Sequence, residues 1–582
     1  MLTLLGAGFL CAIAVLTALY LAFGREPSVP TNATLTLSIG GDLAEVAPAD
    51  IVSYVRGART PTVRGVVDTL RKAKTDVRVT GVFLKVTGLA TPFWAKVQEL
   101  RDAVLDFRTS GKPVYAYLEY GGDRDYYLAA AADKVFLMPS SPLDLAGVAT
   151  YEVFLRGALD KFGVYPDLHH IGDYKTASNT FTEKGYTSAH REMDIALNRD
   201  LYDQIVRGVA ESRQRTDADV RRLLDEGPFL PHAAVQAGLI DEVAYEDEAL
   251  EKLRSAQGGS THTLTAEGYS QVSLGSLGLN TGPRIAVIYA AGSITSGRSS
   301  YSPLNGASLG SDTLIEYIRD ARKDASLKAI ILRIDSPGGS VTASDAIWRE
   351  LMIARNEKKD RPIIASMSDL AASGGYYIAT PAEAIVAQPS TLTGSIGIVG
   401  GKVVTGGLYE KLGASIDVTS IGRHAEMNSP IRPYNEDEQR KVDEQLRTFY
   451  DDFVKKVADS RHKTPAEIDA IAQGRVWTGQ QARAIGLVDA LGGLDRAVAV
   501  AKQRANISAD DDVELVIYPP AKSFYQLLSE EFSGASQSAT MEAWVAANLS
   551  SVEREMLRTA RGPLAGFRRG EPLALMPSWF LR

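Results

Sequence analysis

Cysteine is nearly absent from this sequence: one thiol, Cys11, in 582 residues. No intramolecular disulfide can form, and Cys11 lies in an apolar N-terminal stretch, so cysteine catalysis and cysteine-based metal sites are excluded for the rest of the chain. Histidines number seven. His169 and His170 are adjacent in an apparent strand, where neighbouring side chains point to opposite faces, and His190, His232, His262 and His462 show no ligand spacing. The expectation is no metal and no cofactor. A long basic run is also missing, and the net charge of -8 argues against nucleic acid as a partner. Charged side chains are missing altogether from residues 1–24, a stretch dominated by Leu, Ala, Val, Ile and Phe. About 20 such residues at about 1.5 Å each span a bilayer core, so this segment is expected to be a transmembrane anchor. It lacks the basic start and the Ala-x-Ala site of a cleaved signal peptide. Arg25 stands beside it with Glu26 next, so charge leaves its orientation open. Asn32-Ala33-Thr34 matches a glycosylation sequon, a pattern too short to carry weight.

What the chain does have is an internal repeat of about 250 residues, longer than solenoid periods and so a duplicated domain. Gly81-Val82-Phe83-Leu84-Lys85-Val86 matches Ala329-Ile330-Ile331-Leu332-Arg333-Ile334. Lys112-Pro113-Val114-Tyr115-Ala116 matches Arg361-Pro362-Ile363-Ile364-Ala365. Tyr126-Tyr127-Leu128-Ala129 matches Tyr376-Tyr377-Ile378-Ala379, Ile171-Gly172 falls on Ile421-Gly422, and Ala237-Gly238-Leu239-Ile240-Asp241 matches Ile485-Gly486-Leu487-Val488-Asp489. The offsets stay between 248 and 250. Within each half, apolar strands alternate with helical patterns such as 313–325 and 343–356, which argues for α/β units with a largely parallel sheet. A long amphipathic helix follows in each, at 194–213 and 436–461. The expected division is an anchor at 1–24, a first domain at 33–254, a Gly-, Ser- and Thr-rich linker at 255–282, a second domain at 283–520 and a helical tail at 521–582.

The chemistry is divided between the halves. An apolar strand at 362–367 leads to Ala371-Ala372-Ser373-Gly374-Gly375-Tyr376-Tyr377, where a helix begins, so Ser373 sits at a strand-to-helix elbow. Its hydroxyl can be exposed there, and the next backbone N–H can face a developing oxyanion; capping the helix is the plainer role for such a serine. At the offset of 250, Ser373 falls on Asp123, and Lys175 falls on Ala425. Both pairs, 373 to 425 and 123 to 175, are 52 apart. Each half has kept one member of a two-residue site and lost the other, so one site needs both halves. A serine hydroxyl needs a base to take its proton, and a lysine serves when burial keeps it neutral. Asp335-Ser336-Pro337-Gly338-Gly339-Ser340 is a strand ending in a Gly-Gly turn, at the end where α/β sheets present ligands. Gly339, with Gly374, is assigned to an oxyanion hole.

At these residues the chain resembles the long, duplicated form of the signal peptide peptidase A (protease IV) family, within the crotonase/Clp superfamily. The turn at 335–339, the elbow at 371–377 and Gly172-Asp173-Tyr174-Lys175 carry the resemblance, which covers roughly residues 1–520. It implies two tandem crotonase/Clp-like domains behind the N-terminal helix, with Ser373 as nucleophile and Lys175 as general base. It also implies that Ser395, in Thr393-Gly394-Ser395-Ile396-Gly397, orients the lysine. The implied protein is a bacterial inner-membrane enzyme with its catalytic domains on the periplasmic side, assembled as a homotetramer, that degrades cleaved signal peptides and similar apolar peptides. Three rivals remain. One is a Clp-type peptidase using His424, 51 residues after Ser373, as base. Another is acyl-CoA chemistry on the same fold, which needs paired carboxylates that the chain does not offer. The third is a membrane scaffold without catalysis.

Overall fold

The computed structural model describes residues 29–46, 62–259, 262–302, 306–520, 567, 570–577 and 580–581. The expected anchor and most of the expected helical tail lie outside the described residues, among which no helix is long and apolar enough to cross a membrane.

The first half contributes β1 (Ala33–Gly41), β2 (Val79–Leu89), β3 (Val114–Leu118), β4 (Lys134–Leu137), β5 (Tyr165–Ile171), β6 (Glu242–Val243) and β7 (His262–Thr265). All but β5 form one parallel sheet in the order β7-β1-β2-β3-β4-β6. The stretch expected to be a linker therefore supplies an edge strand, β7, to the first sheet. The second half contributes β8 (Arg284–Ala291), β9 (Ser293–Thr295), β10 (Leu327–Ser336), β11 (Gly338–Ser340), β12 (Ile363–Ala372), β13 (Ala384–Ala387), β14 (Leu392–Gly394), β15 (Ile398–Val404), β16 (Val476–Thr478) and β17 (Glu514–Tyr518). Its main sheet runs β16-β14-β12-β10-β8-β17, with β13 beside β12. The central strands are continuous apolar runs because helices cover both faces: Val82 to Leu84 and Ile330 to Ile334 are buried.

The duplication is visible in register. Val82 pairs with Val114, and their counterparts Ile330 and Ile363 pair in the second sheet. The Tyr126 hydroxyl donates to Leu239 O at 2.7 Å, and Tyr376 repeats this to Leu487 O at 2.8 Å. The long helices run Ser188–Arg213 (α1) and Glu436–Arg461 (α2). The first begins six residues before its expected start (194 − 188), because Thr187, a better cap than the expected boundary offers, accepts from His190 N–H at 3.2 Å.

The halves are joined by a seven-residue antiparallel ladder between β5 and β15, from Tyr165↔Val404 to Ile171↔Ile398. A buried ionic cluster adds to the seam. Arg333 on β10, 1% exposed, donates to Glu45 at 2.8 and 2.9 Å and to Glu99 at 2.6 Å, both from the first half. The part of the tail that is described is extended rather than helical: β18 (Leu573–Leu575) lies between β11 and β15.

Candidate active site

Ser373 stands between β12, which runs on to Ala372, and the short helix Gly374–Ala379. Its backbone has φ 56° and ψ -114°, a conformation that costs a non-glycine residue on the order of 1–3 kcal/mol. Its N–H is held by Gly394 O at 2.8 Å. The side chain makes no bond to the helix start, so capping does not account for a serine here. Its Oγ instead lies 2.7 Å from Lys175 Nζ.

The β5–β15 ladder explains how two residues 198 apart meet. It ends at Ile171↔Ile398; Lys175 leaves one strand four residues past that pair, and Ser395 stands three residues before it on the other. Tyr174 N–H fastens the lysine loop to Gln473 O at 2.9 Å. Gly474 then lets the backbones touch: its φ is 79°, and a Cβ on it would stand 2.5 Å from the Lys175 main chain. Lys175 Nζ donates to Ser395 O at 2.9 Å and lies 3.0 Å from Ser395 Oγ. Lys175, Ser373 and Ser395 are each 0% exposed.

Burial drives the Lys175 amine well below the usual lysine range, and no charged partner among the described residues opposes it. Lys96 is the contrast within the same molecule. Burial works against its charge too, but Asp335 at 2.8 Å and Asp369 at 3.4 Å outweigh burial and raise its amine. The two buried lysines are thus shifted in opposite directions because of their neighbours.

Gly339 and Gly374, from the two glycine turns, are brought together: a Cβ on Gly374 would stand 3.1 Å from Gly339 N. His424 does not join them. It is exposed and lies 3.5 Å from Asp437, while the partner of Ser373 is Lys175. His169 and His170 also diverge, one towards Asp443 and the other to Gly172 O, each at 3.0 Å.

One cluster escaped the sequence reading. Glu152, His190 and Asp194 each place a ligand atom within 4.8 Å of the others, and the spacing of four between His190 and Asp194 on α1 was its available signal. Burial pushes the Glu152 carboxyl up to about 9 and Asp194 up to about 6, and the His190 imidazole down to about 4. Glu152 Oε1, His190 Nε2 and both Asp194 carboxylate oxygens are buried without a hydrogen-bond partner among the described residues, and no metal role in the chemistry of the dyad is assigned.

An α/β fold that holds a strained serine against a buried amine without a counter-charge defines a serine hydrolase. Residues 106–259 and 355–508 each match the model of Peptidase family S49, and the chain belongs to that family as a serine endopeptidase. It is 38% identical over 465 residues to the chloroplastic serine protease SPPA of Arabidopsis thaliana, covering 79% of this chain and 68% of that protein. To Protease 4 of Salmonella typhi it is 35% identical over 490 residues, covering 82% and 77%. To Protease 4 of Haemophilus influenzae it is 27% identical over 575 residues, covering 94% and 92%.

Proposed function

We propose that Ser373 is the nucleophile and Lys175 the general base of a dyad that hydrolyses peptide bonds. The observation that carries this is the 2.7 Å contact between a strained serine and a fully buried amine, which burial shifts towards its neutral form. Ser373 Oγ attacks the scissile carbonyl as Lys175 Nζ takes its proton, and the resulting ammonium then protonates the leaving amine. Gly339 and Gly374 N–H groups receive the oxyanion. Water, deprotonated by the same amine, releases the acyl group from Ser373. Ser395 holds the lysine through its carbonyl and hydroxyl, so the amine has a fixed direction before substrate arrives. The slot between β11 and β15 suits an extended peptide that adds as a strand, and the chain's own β18 lies in it in that form.

The substrates in this reading are cleaved signal peptides and other apolar peptides. Residues 1–24 anchor the chain in a bacterial inner membrane by a single pass, the catalytic domains stand on the periplasmic side, and four copies assemble. Support comes from the uncharged N-terminus, the apolar residues that line the slot (Ala177 and Val399 among them) and the resemblance of the motifs. The test is a serine-directed fluorophosphonate together with an internally quenched apolar peptide. Labelling of Ser373, with turnover lost in Ser373→Ala and Lys175→Ala but kept in His424→Ala, is expected. Either dyad variant that keeps more than about a hundredth of wild-type turnover ends the reading.

A further inference from the structure

On α1 a histidine and an aspartate stand four apart, His190 and Asp194, and residues so spaced share one face of a helix. That face is turned inward: His190 is 1% exposed and Asp194 6%. Across from it runs the segment at 151–153, where Tyr151 and Val153 face outward and Glu152, between them, turns in. One ligand atom from each of the three residues lies within 4.8 Å of the other two. Four polar atoms here, Glu152 Oε1, His190 Nε2 and both carboxylate oxygens of Asp194, are buried with no hydrogen-bond partner among the described residues. Buried polar groups in native proteins are nearly always paired, so four orphans converging on one point call for a ligand.

The neighbours do not supply it. His190 Nε2 stands 3.7 Å from Asp194 Oδ2, too far for a hydrogen bond. The Tyr186 phenol approaches Asp194 but reaches neither carboxylate oxygen at hydrogen-bond length. Phe154 and Tyr186 wall the pocket with their rings, 6.1 and 4.8 Å from the imidazole. No basic side chain among the described residues offsets either carboxylate. On the other side of the imidazole, Asn179 lies 3.5 Å from Nδ1. With its amide oxygen on that side, Asn179 accepts Nδ1–H and leaves the Nε2 lone pair for a cation, as the outer partners of metal-bound histidines do.

We propose that Glu152, His190 and Asp194 bind one divalent transition cation, zinc by preference, with Asn179 positioning the imidazole. Two carboxylates match the charge of such an ion, and an imidazole among the donors selects zinc over calcium or magnesium, which take oxygen. Tetrahedral ligands at about 2.1 Å from zinc stand about 3.4 Å apart, so the Nε2 to Oδ2 separation of 3.7 Å is already close to what the ion requires. The role is structural. The ion joins the segment at 151–153 to α1 and, through Asn179, to the helix Asn179–Thr182, which follows Lys175 after the single turn Thr176–Ser178. Leu155 N–H donates to Thr180 O at 2.6 Å across the same junction. The loop that carries Lys175 is thereby braced from behind.

The test uses the full chain without an affinity tag, stripped by a chelator and titrated with Zn²⁺ alone against a chromophoric competitor. One ion per chain is expected, and zinc should raise the thermal midpoint by a few degrees. Co²⁺ in the same site should give visible absorption bands that zinc displaces. Glu152→Gln with Asp194→Asn keeps the shapes and removes both anionic ligands, so it should weaken zinc at least about a hundredfold and abolish the thermal shift. Asn179→Ala, which removes only the orienting partner, should weaken zinc about tenfold. His169→Gln is the control, because His169 lies 3.0 Å from Asp443 in another pairing of histidine with carboxylate; it should bind zinc as wild type does. Wild-type binding weaker than about 10 μM overturns the site. So does binding that survives in Glu152→Gln with Asp194→Asn, or that is lost in His169→Gln. Should the double variant fail to fold, the wild-type stoichiometry and the Asn179→Ala titration decide the matter in its place.

Discussion

Lys175→Met separates what the amine does for catalysis from what its burial does to stability. Methionine is unbranched, of similar length and uncharged, so it fills the same space and removes the contacts at 2.7, 2.9 and 3.0 Å. Without a base, turnover is expected to fall at least 10²-fold, with KM little changed. Stability gives a second, independent readout. In the unfolded chain this amine titrates near about 10.4, and in the native state burial holds it well below the usual lysine range. Between those two values the unfolded state binds the extra proton, so native stability climbs with pH, by about 1.4 kcal/mol for each pH unit inside the window, and levels off above about pH 10.4. The variant lacks that slope. The measurement is the difference in denaturant unfolding between wild type and variant at a series of pH values from about 7 to about 9.5, over which the other titrating groups cancel. Wild type should gain on the variant as pH rises. Two parallel curves would mean that the native amine is protonated or unperturbed, and a neutral lysine could then no longer be the base.

Ser373→Ala should abolish fluorophosphonate labelling and leave less than about a hundredth of turnover, while the thermal midpoint stays at or above that of wild type; a drop would mean that the hydroxyl is structural. Ser395→Ala removes one of three lysine contacts, worth about 1 kcal/mol, so kcat/KM should fall about fivefold; a loss beyond about a hundredfold would make Ser395 a chemical participant. Arg333→Met leaves Glu45 and Glu99 buried without their cation and should cost about 3–5 kcal/mol in an unfolding titration; a loss under about 1 kcal/mol would show that the seam does not depend on this cluster. Ending the chain at Gly570 empties the slot that β18 fills, so KM for an added peptide should fall about tenfold, and an unchanged KM would show that the tail leaves the slot freely.

The parts of this structure that were legible in the sequence are those written in local pattern or in the repeat. Buried parallel strands appear as apolar runs, and the offset of 52 pointed from Asp123 to Lys175 as it did from Ser373 to Ala425. The apolar pattern before Ser373 ends at Met367, yet the strand runs to Ala372, because the polar Asp369 lies within it. That carboxylate accepts Lys96 N–H at 3.0 Å, a partner from the other half that no local window contains. The same reason hid β18. Three residues have no periodicity to detect, and their partners at 338–340 are more than 200 residues away. Glu152 and His190 come together through folding alone, as do Glu45 and Arg333.

The disused corners show why the site is single. Asp123, where the first half would have its nucleophile, accepts from Gly147 N–H at 3.1 Å and Ala146 N–H at 3.2 Å, so its carboxylate holds the loop that leads into 148–154. Ala425, where the second half would have its lysine, is exposed just beyond 415–421. The first half thus keeps the elbow and spends the nucleophile's place on a loop contact, while the second half has no amine at the place of Lys175. Asp123→Ser tests this: no fluorophosphonate label is expected at position 123, because a hydroxyl there has no matched lysine to take its proton. A label at 123 would mean that another group serves as base for the first half and would contradict the argument.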